Sequence, residues 1–256
     1  MSHNIFDDTV PLFCNIESTQ VTGDHIEYRI KVQRGHSAEE TWQLFRRYTD
    51  FTTLDNGLKQ SGVSLSLPPK KMFGNTSREF IAERQQKLQA YLNQVLANWL
   101  LANSIYTKQF LYDNYYQQNF SELALQHISM LLRSEPSWEV VEPLPEIGGR
   151  IRKSCFLAKN KTIQKKRFVL TWLPVGPYSP IEEKERTTLV KVLETFQHPY
   201  LLPIVYSACS SAGALVIRPY MENGSLKDQI YKAKPKSHYL KKYGNPKTFL
   251  PIPCLT

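Results

Sequence analysis

Basic and aromatic residues in the first third of the chain have the types and order that a phosphate site needs. Arg46 and Arg47 are followed directly by Tyr48, Lys70 follows two prolines, and Arg84 lies in a long helical pattern. An arginine can hold a phosphate through two parallel hydrogen bonds. The ring of Tyr48 can offer its face to the apolar side of a sugar-like ring. Together these residues predict a pocket for a phosphate carried on such a ring.

Two strands and two helices are needed to position these residues. The alternating run 26–48 predicts two strands that end at the arginines, and a helix begins just beyond, with Thr49 or Asp50 as its cap. An apolar period over residues 80–95 predicts a longer helix and places Arg84 beside its buried face. Arg84 is therefore either a ligand in the pocket or an arginine that lies along apolar surface to reach water.

The order strand, Arg-Arg-Tyr-x-Asp-Phe, helix, Leu-Pro-Pro-Lys and long helix resembles PX (phox-homology) domains over residues 7–113. The resemblance implies an α+β fold in which a three-stranded antiparallel sheet packs on a helical part. It also implies a pocket for phosphoinositide head groups, most often phosphatidylinositol 3-phosphate. In that pocket Arg47 would hold the 3-phosphate and Tyr48 would pack under the inositol. Lys70 would face the 1-phosphate, and Arg84 would bond the 4- and 5-hydroxyls.

Two apolar residues follow the prolines and predict a membrane contact. Met72 and Phe73 come directly after Lys70 and Lys71, a pattern that suits a wedge entering the lipid interface, as in the related domains. The alternative for Phe73 is a place in the core. Any membrane association would be peripheral, because the most apolar helical stretch, 95–105, is too short to span a bilayer.

Charge and cysteine content limit the other functional classes. The net charge is +9, but residues 1–113 carry 12 Lys and Arg against 12 Asp and Glu, so the surplus lies in the remainder, with 20 against 11. The evidence for an anionic ligand is therefore local clustering and not bulk charge, and we expect no nucleic-acid partner. Four scattered cysteines without a Cys-x-x-Cys motif predict reduced thiols, no metal site and no cofactor. The amino terminus lacks a secretory pattern, which predicts a cytoplasmic protein.

The second half begins with a helical stripe and a run of prolines. Residues 114–135 predict a connecting helix, opened by Ser121, and a new pattern starts at 136. Residues 147–153 lie where a glycine-rich phosphate loop would, yet only Gly148 of the three required glycines is in place. The next strand reads Val-Leu-Thr-Trp, so Trp172 replaces the lysine that holds phosphates in Val-Ala-Ile-Lys.

These segments, followed by an amphipathic helix over 181–196, resemble the N-lobe and hinge of a protein kinase, and the partial lobe covers 136–233. Neither His-Arg-Asp nor Asp-Phe-Gly occurs, so we expect no phosphoryl transfer and no catalytic residue. The acidic residues Glu182, Glu183 and Glu185 are expected to form a solvated face. Residues 234–256 predict a basic tail without regular structure.

Taken together, the chain resembles the PX-domain kinase-like protein family, as a short form without the second kinase lobe. That resemblance implies an adaptor recruited to endosomal membranes by a phosphoinositide, with a part in trafficking and with protein partners bound through the kinase-like region. The alternative is a regulatory kinase fragment that binds a nucleotide or a kinase partner.

Overall fold

The chain folds as two compact units, which are described separately. A computed structural model describes residues 10–23, 25–36, 40–70, 77–147, 151, 153–163, 165–175 and 182–244. The first unit runs to Gln118 and is joined again by the chain from Leu240 onward, and the second unit spans Asn119–Tyr239 within those limits.

The first unit contains an antiparallel sheet whose strand order follows the sequence. Its strands are β1 (Leu12–Thr22), β2 (His25–Arg34) and β3 (Thr41–Arg47), in the order β1-β2-β3. The pairing of β1 with β2 shifts register between Ile16 and Ser18, so β1 carries a bulge there.

Helices follow the sheet and bury one apolar face each. They are α1 (Tyr48–Leu58), α2 (Arg78–Ala97), α3 (Trp99–Ala102) and α4 (Ile105–Leu111). The N-cap of α1 is Arg47, and not Thr49 or Asp50 as the sequence predicts. Asp50 stands at the third helical position, where its carboxylate accepts the Arg47 N–H at 2.7 Å. The core of this unit consists of sheet and helix residues that are at most 2 % exposed, among them Tyr28, Ile30, Val32, Leu44, Phe51, Leu54, Leu58, Leu88, Tyr91, Leu92 and Val95.

The second unit is built on a five-stranded antiparallel sheet. Its elements in chain order are α5 (Phe120–Leu131), β4 (Trp138–Pro143), β5 (Ser154–Asn160), β6 (Arg167–Pro174), α6 (Glu183–Thr195), β7 (Tyr206–Ser210), β8 (Gly213–Pro219) and α7 (Leu226–Ile230). The strand order is β4-β5-β6-β8-β7. The predicted α+β class is confirmed, with a three-stranded sheet and helices followed by a second sheet of the kind expected for a kinase-like N-lobe.

Helix α5 belongs to the second unit, although the sequence predicts a connecting helix over 114–135. Its Ala124 and Ile128 are fully buried in one cluster with Trp138, Phe156 and other residues of the sheet. The apolar stripe is the physical reason, because a helix with such a stripe must cover it with another apolar surface. The prediction that Ser121 opens the helix is also wrong, since Asn119 is the cap and accepts the Glu122 N–H at 3.3 Å.

The basic tail contains a short helix, which corrects the prediction of an irregular segment from 234. Helix α8 (Tyr239–Tyr243) turns the chain back to the first unit. Leu240 is fully buried, and the backbone of Gly244 lies so close to Ser61 that an added Cβ would overlap its carbonyl oxygen. Glycine is therefore required at 244 by this close approach.

No helix among the described residues is long and apolar enough to cross a bilayer.

Burial of α5 predicts unequal effects for two alanine substitutions on that helix. Ile128→Ala removes a fully buried side chain, so we expect a loss of about 2–5 kcal/mol in unfolding free energy. Leu125→Ala is the control, since Leu125 is 40 % exposed and its loss should change stability by about 0.5 kcal/mol or less. Urea unfolding of both variants measures the difference. Equal stabilities would mean that α5 is only a connector.

Candidate functional site

The two consecutive arginines at the end of β3 point to opposite faces of the sheet, as alternation along a strand requires. Arg46 is a structural residue: its Nε donates to the Phe110 carbonyl at 2.7 Å, and its guanidinium pairs with Asp113 at 3.0 Å. The side chain of Arg47 is 52 % exposed. Of the pair, only Arg47 is available to a ligand in solution.

Tyr48 joins the end of β3 to the proline-rich loop. Its hydroxyl donates to the Pro68 carbonyl at 2.5 Å, and its ring lies 4.7 Å from the Arg84 guanidinium. Burial raises the pKa of Tyr48, and the positive charge of Arg84 opposes that rise. Tyr48 therefore has a fixed ring between the loop that leads to Lys70 and the helix that carries Arg84.

Arg84 is buried in the first unit, with 6 % of its surface exposed. Its guanidinium lies 4.2 Å from the centre of the Phe80 ring, and one terminal nitrogen donates a long hydrogen bond, 3.5 Å, to the Pro69 carbonyl. Among the described residues no carboxylate pairs with it. The side chain does not extend to solvent, as the alternative interpretation of Arg84 required.

A second effect of the Arg84 charge is visible at Tyr28. Burial raises the pKa of the Tyr28 hydroxyl, while the positive charge of Arg84 acts in the opposite direction. The positive charge of Arg84 therefore acts on both tyrosines beside it.

Two glutamines hold α2 against the bulged strand and thereby fix the position of Arg84. Gln85 Nε2 donates to the Ile16 carbonyl at 2.8 Å, while the side-chain amide of Gln89 accepts the Ile16 N–H at 2.7 Å and donates to the Cys14 carbonyl at 3.0 Å. These bonds satisfy backbone groups of β1 that face away from β2. The position of α2 along β1 is therefore fixed by these hydrogen bonds.

The predicted site residues are brought together only in part by observed contacts. Tyr48, Arg84 and the carbonyls of Pro68 and Pro69 are in contact, Arg47 adjoins Tyr48 in the chain, and the exposed Lys70 follows Pro69. The predicted membrane residues Met72 and Phe73 lie outside the described residues.

Glu27 is a residue of this site that sequence reasoning missed. Its side chain lies 3.4 Å from Arg47 Nε, across the β2–β3 ladder. The only signal for it is the register of the two strands, which the sequence pattern does not provide.

In the kinase-like unit, Trp172 occupies the strand position at which a kinase has its phosphate-holding lysine, and this position is part of the hydrophobic core. Trp172 is 2 % exposed and its indole stacks on the His127 ring of α5, with centroids 5.3 Å apart and an interplanar angle of 12°. Leu170, two residues earlier in β6, faces the same cluster as Ala124 and Ile128. Helix α5 therefore covers the sheet face toward which the missing lysine would point.

The remaining kinase-like positions are described only in part. Gly148 and Arg150 of the glycine-rich segment lie outside the described residues, whereas Lys153 lies directly before β5. Glu182 and Glu185 are exposed at the start of α6, where the Glu185 carboxylate accepts the Glu182 N–H at 3.1 Å. This is a helix-capping role.

The three-stranded sheet and the helices after it define the first unit as a PX domain, and residues 34–114 match the PX domain family model. The chain as a whole is similar to a longer protein, PX domain-containing protein kinase-like protein. It is 52 % identical to that protein from Mus musculus over 243 residues, which are 95 % of this chain and 42 % of the relative. The chain thus resembles the PX-domain kinase-like family and spans less than half the length of these relatives.

Two other relatives match shorter regions. Sorting nexin-16 from Mus musculus is 38 % identical over 106 residues, 40 % of this chain and 30 % of the relative. The probable inactive serine/threonine-protein kinase slob1 from Dictyostelium discoideum is 36 % identical over 121 residues, 44 % of this chain and 21 % of the relative.

The hydroxyl of Tyr48 should stabilise the first unit measurably. Tyr48→Phe keeps the ring beside Arg84 but leaves the Pro68 carbonyl without its donor, so we expect a loss of about 1 kcal/mol. Tyr106→Phe is the control, because the Tyr106 hydroxyl accepts a bond from Gln60 at the exposed surface. Urea denaturation of the two variants tests this difference. An equal loss in both would contradict a special role for the Pro68 contact.

Proposed function

We propose that this chain is a phosphoinositide-binding adaptor that is recruited to membranes through its PX domain. The preferred lipid is phosphatidylinositol 3-phosphate, and the membranes are those of endosomes. The protein associates with them peripherally and acts in endosomal trafficking, without phosphoryl transfer.

The observation that carries this proposal is the burial of Arg84 without a carboxylate partner among the described residues. Removing a charge from water costs several kcal/mol even after relaxation of the protein. The contacts of Arg84 with the rings of Tyr48 and Phe80 stabilise the charge by about 1–2 kcal/mol each. The hydrogen bond to the Pro69 carbonyl is long and adds little. A polar ligand whose oxygens accept hydrogen bonds from Arg84, and which carries phosphates nearby, would compensate part of the remainder.

Each residue of the site is assigned to a different group of the lipid head group. Arg47, which is exposed at the end of β3, is assigned to the 3-phosphate, and Lys70 to the 1-phosphate on the lipid side. Arg84 is assigned to the ring hydroxyls and Tyr48 to the face of the inositol. Met72 and Phe73 are proposed to enter the lipid interface, since methionine and phenylalanine beside lysines suit that boundary. Binding of the head group in the pocket and insertion of these two side chains into the lipid then both contribute to the affinity for the membrane.

The names of the relatives support the same class of function. One is a sorting nexin, one is a kinase-like protein with a PX domain, and one is a probable inactive kinase. For the present chain we infer that the kinase-like unit contributes binding and not catalysis.

An exposed apolar stripe supports a protein partner for that unit. Helix α6 buries Val190, yet four other apolar residues of this helix and its C-cap are 39–54 % exposed: Leu189, Val192, Leu193 and Phe196. Apolar surface of this kind marks interaction sites more often than free surface.

Liposome sedimentation tests the proposal directly. The intact chain should pellet with liposomes that carry phosphatidylinositol 3-phosphate, in preference to the other phosphoinositides, at near-physiological salt. Arg47→Ala should reduce that binding at least tenfold, because it removes a charge-assisted bidentate contact while the exposed side chain contributes little to the fold.

Lys87→Ala is the charge-matched control for this experiment. Lys87 is an exposed residue of α2, and it pairs with Glu83 at 2.6 Å outside the site. Binding to every anionic lipid alike, unchanged in Arg47→Ala, would refute the assigned pocket. A loss of secondary structure in Arg47→Ala would instead make Arg47 a structural residue.

The alternative function, a regulatory fragment that binds a nucleotide, makes a different prediction. With Trp172 in the core under α5, we expect ATP to leave the melting temperature unchanged, with or without magnesium. Thermal melting at millimolar ATP measures this. A clear upward shift would favour the nucleotide-binding alternative.

A further inference from the structure

Glu27 and Arg47 are direct neighbours on adjacent strands. The register pairs Glu27 of β2 with Arg47 of β3, so both side chains leave the same face of the sheet. Glu27 Oε1 lies 3.4 Å from Arg47 Nε. The Glu27 side chain is 17 % exposed and the Arg47 side chain 52 %, so the carboxylate is the more enclosed partner.

The Glu27 carboxylate is fixed by side chains of β1 and β2. Its Oε2 accepts Gln20 Nε2 at 2.9 Å and Thr22 Oγ1 at 3.2 Å, and its Oε1 lies 3.3 Å from His25 Nε2. The hydrogen bond from Gln20, followed by those from His25, Thr22 and Arg47, lowers the pKa of Glu27. The carboxylate is therefore ionised at neutral pH and held in one place.

Arg47 is bound through its backbone N–H and its Nε, while the terminal nitrogens of its guanidinium are available to a ligand. Its backbone N–H donates to Asp50, and its Nε faces Glu27. Among the described residues its two terminal nitrogens have no partner. Those nitrogens form the outer edge of the guanidinium fork, which can bind two oxygens of one phosphate at the same time.

Because this inference rests on the proposed function, it concerns the same lipid site. We propose that Glu27 is a positioning residue for the phosphate contact of Arg47: it binds Nε and leaves the outer edge of the guanidinium directed to the ligand. Its acceptor oxygen is what orients Arg47. Its negative charge opposes the incoming phosphate, because like charges this close repel.

These two effects of Glu27 are separated by two substitutions. Glu27→Gln keeps an oxygen that accepts from Nε and removes the charge, so binding to the 3-phosphate lipid should be equal to that of the unchanged chain or tighter. Glu27→Ala removes the acceptor that orients Arg47. Binding to the lipid should then weaken about tenfold, because the charge-assisted hydrogen bond from Arg47 to the phosphate would form less often. Glu17→Gln and Glu17→Ala are the controls, since Glu17 pairs with Arg29 on the same sheet.

A measurement without lipid tests the positioning itself. The Nε–H resonance of Arg47, assigned by its absence in Arg47→Ala, should show an ordered guanidinium in the unchanged chain and in Glu27→Gln. It should show free rotation in Glu27→Ala. Circular dichroism of each variant checks that the fold persists.

The possible outcomes distinguish the two proposals. Selective lipid binding that is unchanged in Glu27→Ala, or a mobile Arg47 in the unchanged chain, would overturn the role of Glu27 and leave the lipid site intact. Weaker binding in Glu27→Gln than in Glu27→Ala would also overturn it. No selective binding by the unchanged chain would refute the proposed function, and the lipid role of Glu27 with it.

Discussion

The first unit must keep the positive charge of Arg84 inside a largely apolar wall. The guanidinium lies against the rings of Tyr48 and Phe80, with one long bond to the Pro69 carbonyl. Those contacts stabilise the charge less than water does, so the surroundings must be held rigidly for the arrangement to persist. The two glutamines of α2 and the Tyr48–Pro68 bond provide that rigidity. The same arrangement places Arg84 beside Tyr48, directly after β3, where the ligand is proposed to bind.

Much of this unit could be predicted from the sequence because its signals are local. Strand alternation located the end of β3, and helical periodicity placed Arg84 on α2. The residues that sequence reasoning missed depend on non-local geometry. Glu27 reaches Arg47 only through strand register, and the separate role of Arg46 depends on the position of the Phe110 carbonyl, 64 residues away. The position of Trp172 was predicted, but its burial under α5 requires knowing where that helix packs.

The second unit illustrates how one substitution changes the use of a whole surface. A lysine in place of Trp172 would need a phosphate or a carboxylate, and hence an open cleft. The indole instead needs apolar neighbours, and His127 and Ile128 of α5 supply them. The sheet face that would receive a nucleotide is thereby part of the core, while apolar surface is exposed on α6 instead.

The division of the first unit into two parts of the chain has a consequence during synthesis on the ribosome. Residues up to Gln118 emerge first, but Leu240 and Gly244, which complete the packing near Ser61, emerge only after the whole second unit. At about 5–20 residues per second, the intervening segment takes on the order of ten seconds to translate. During that interval the nascent PX unit lacks the buried side chain of Leu240 and the close contact of Gly244 with Ser61. The second unit therefore has time to fold before the first is complete.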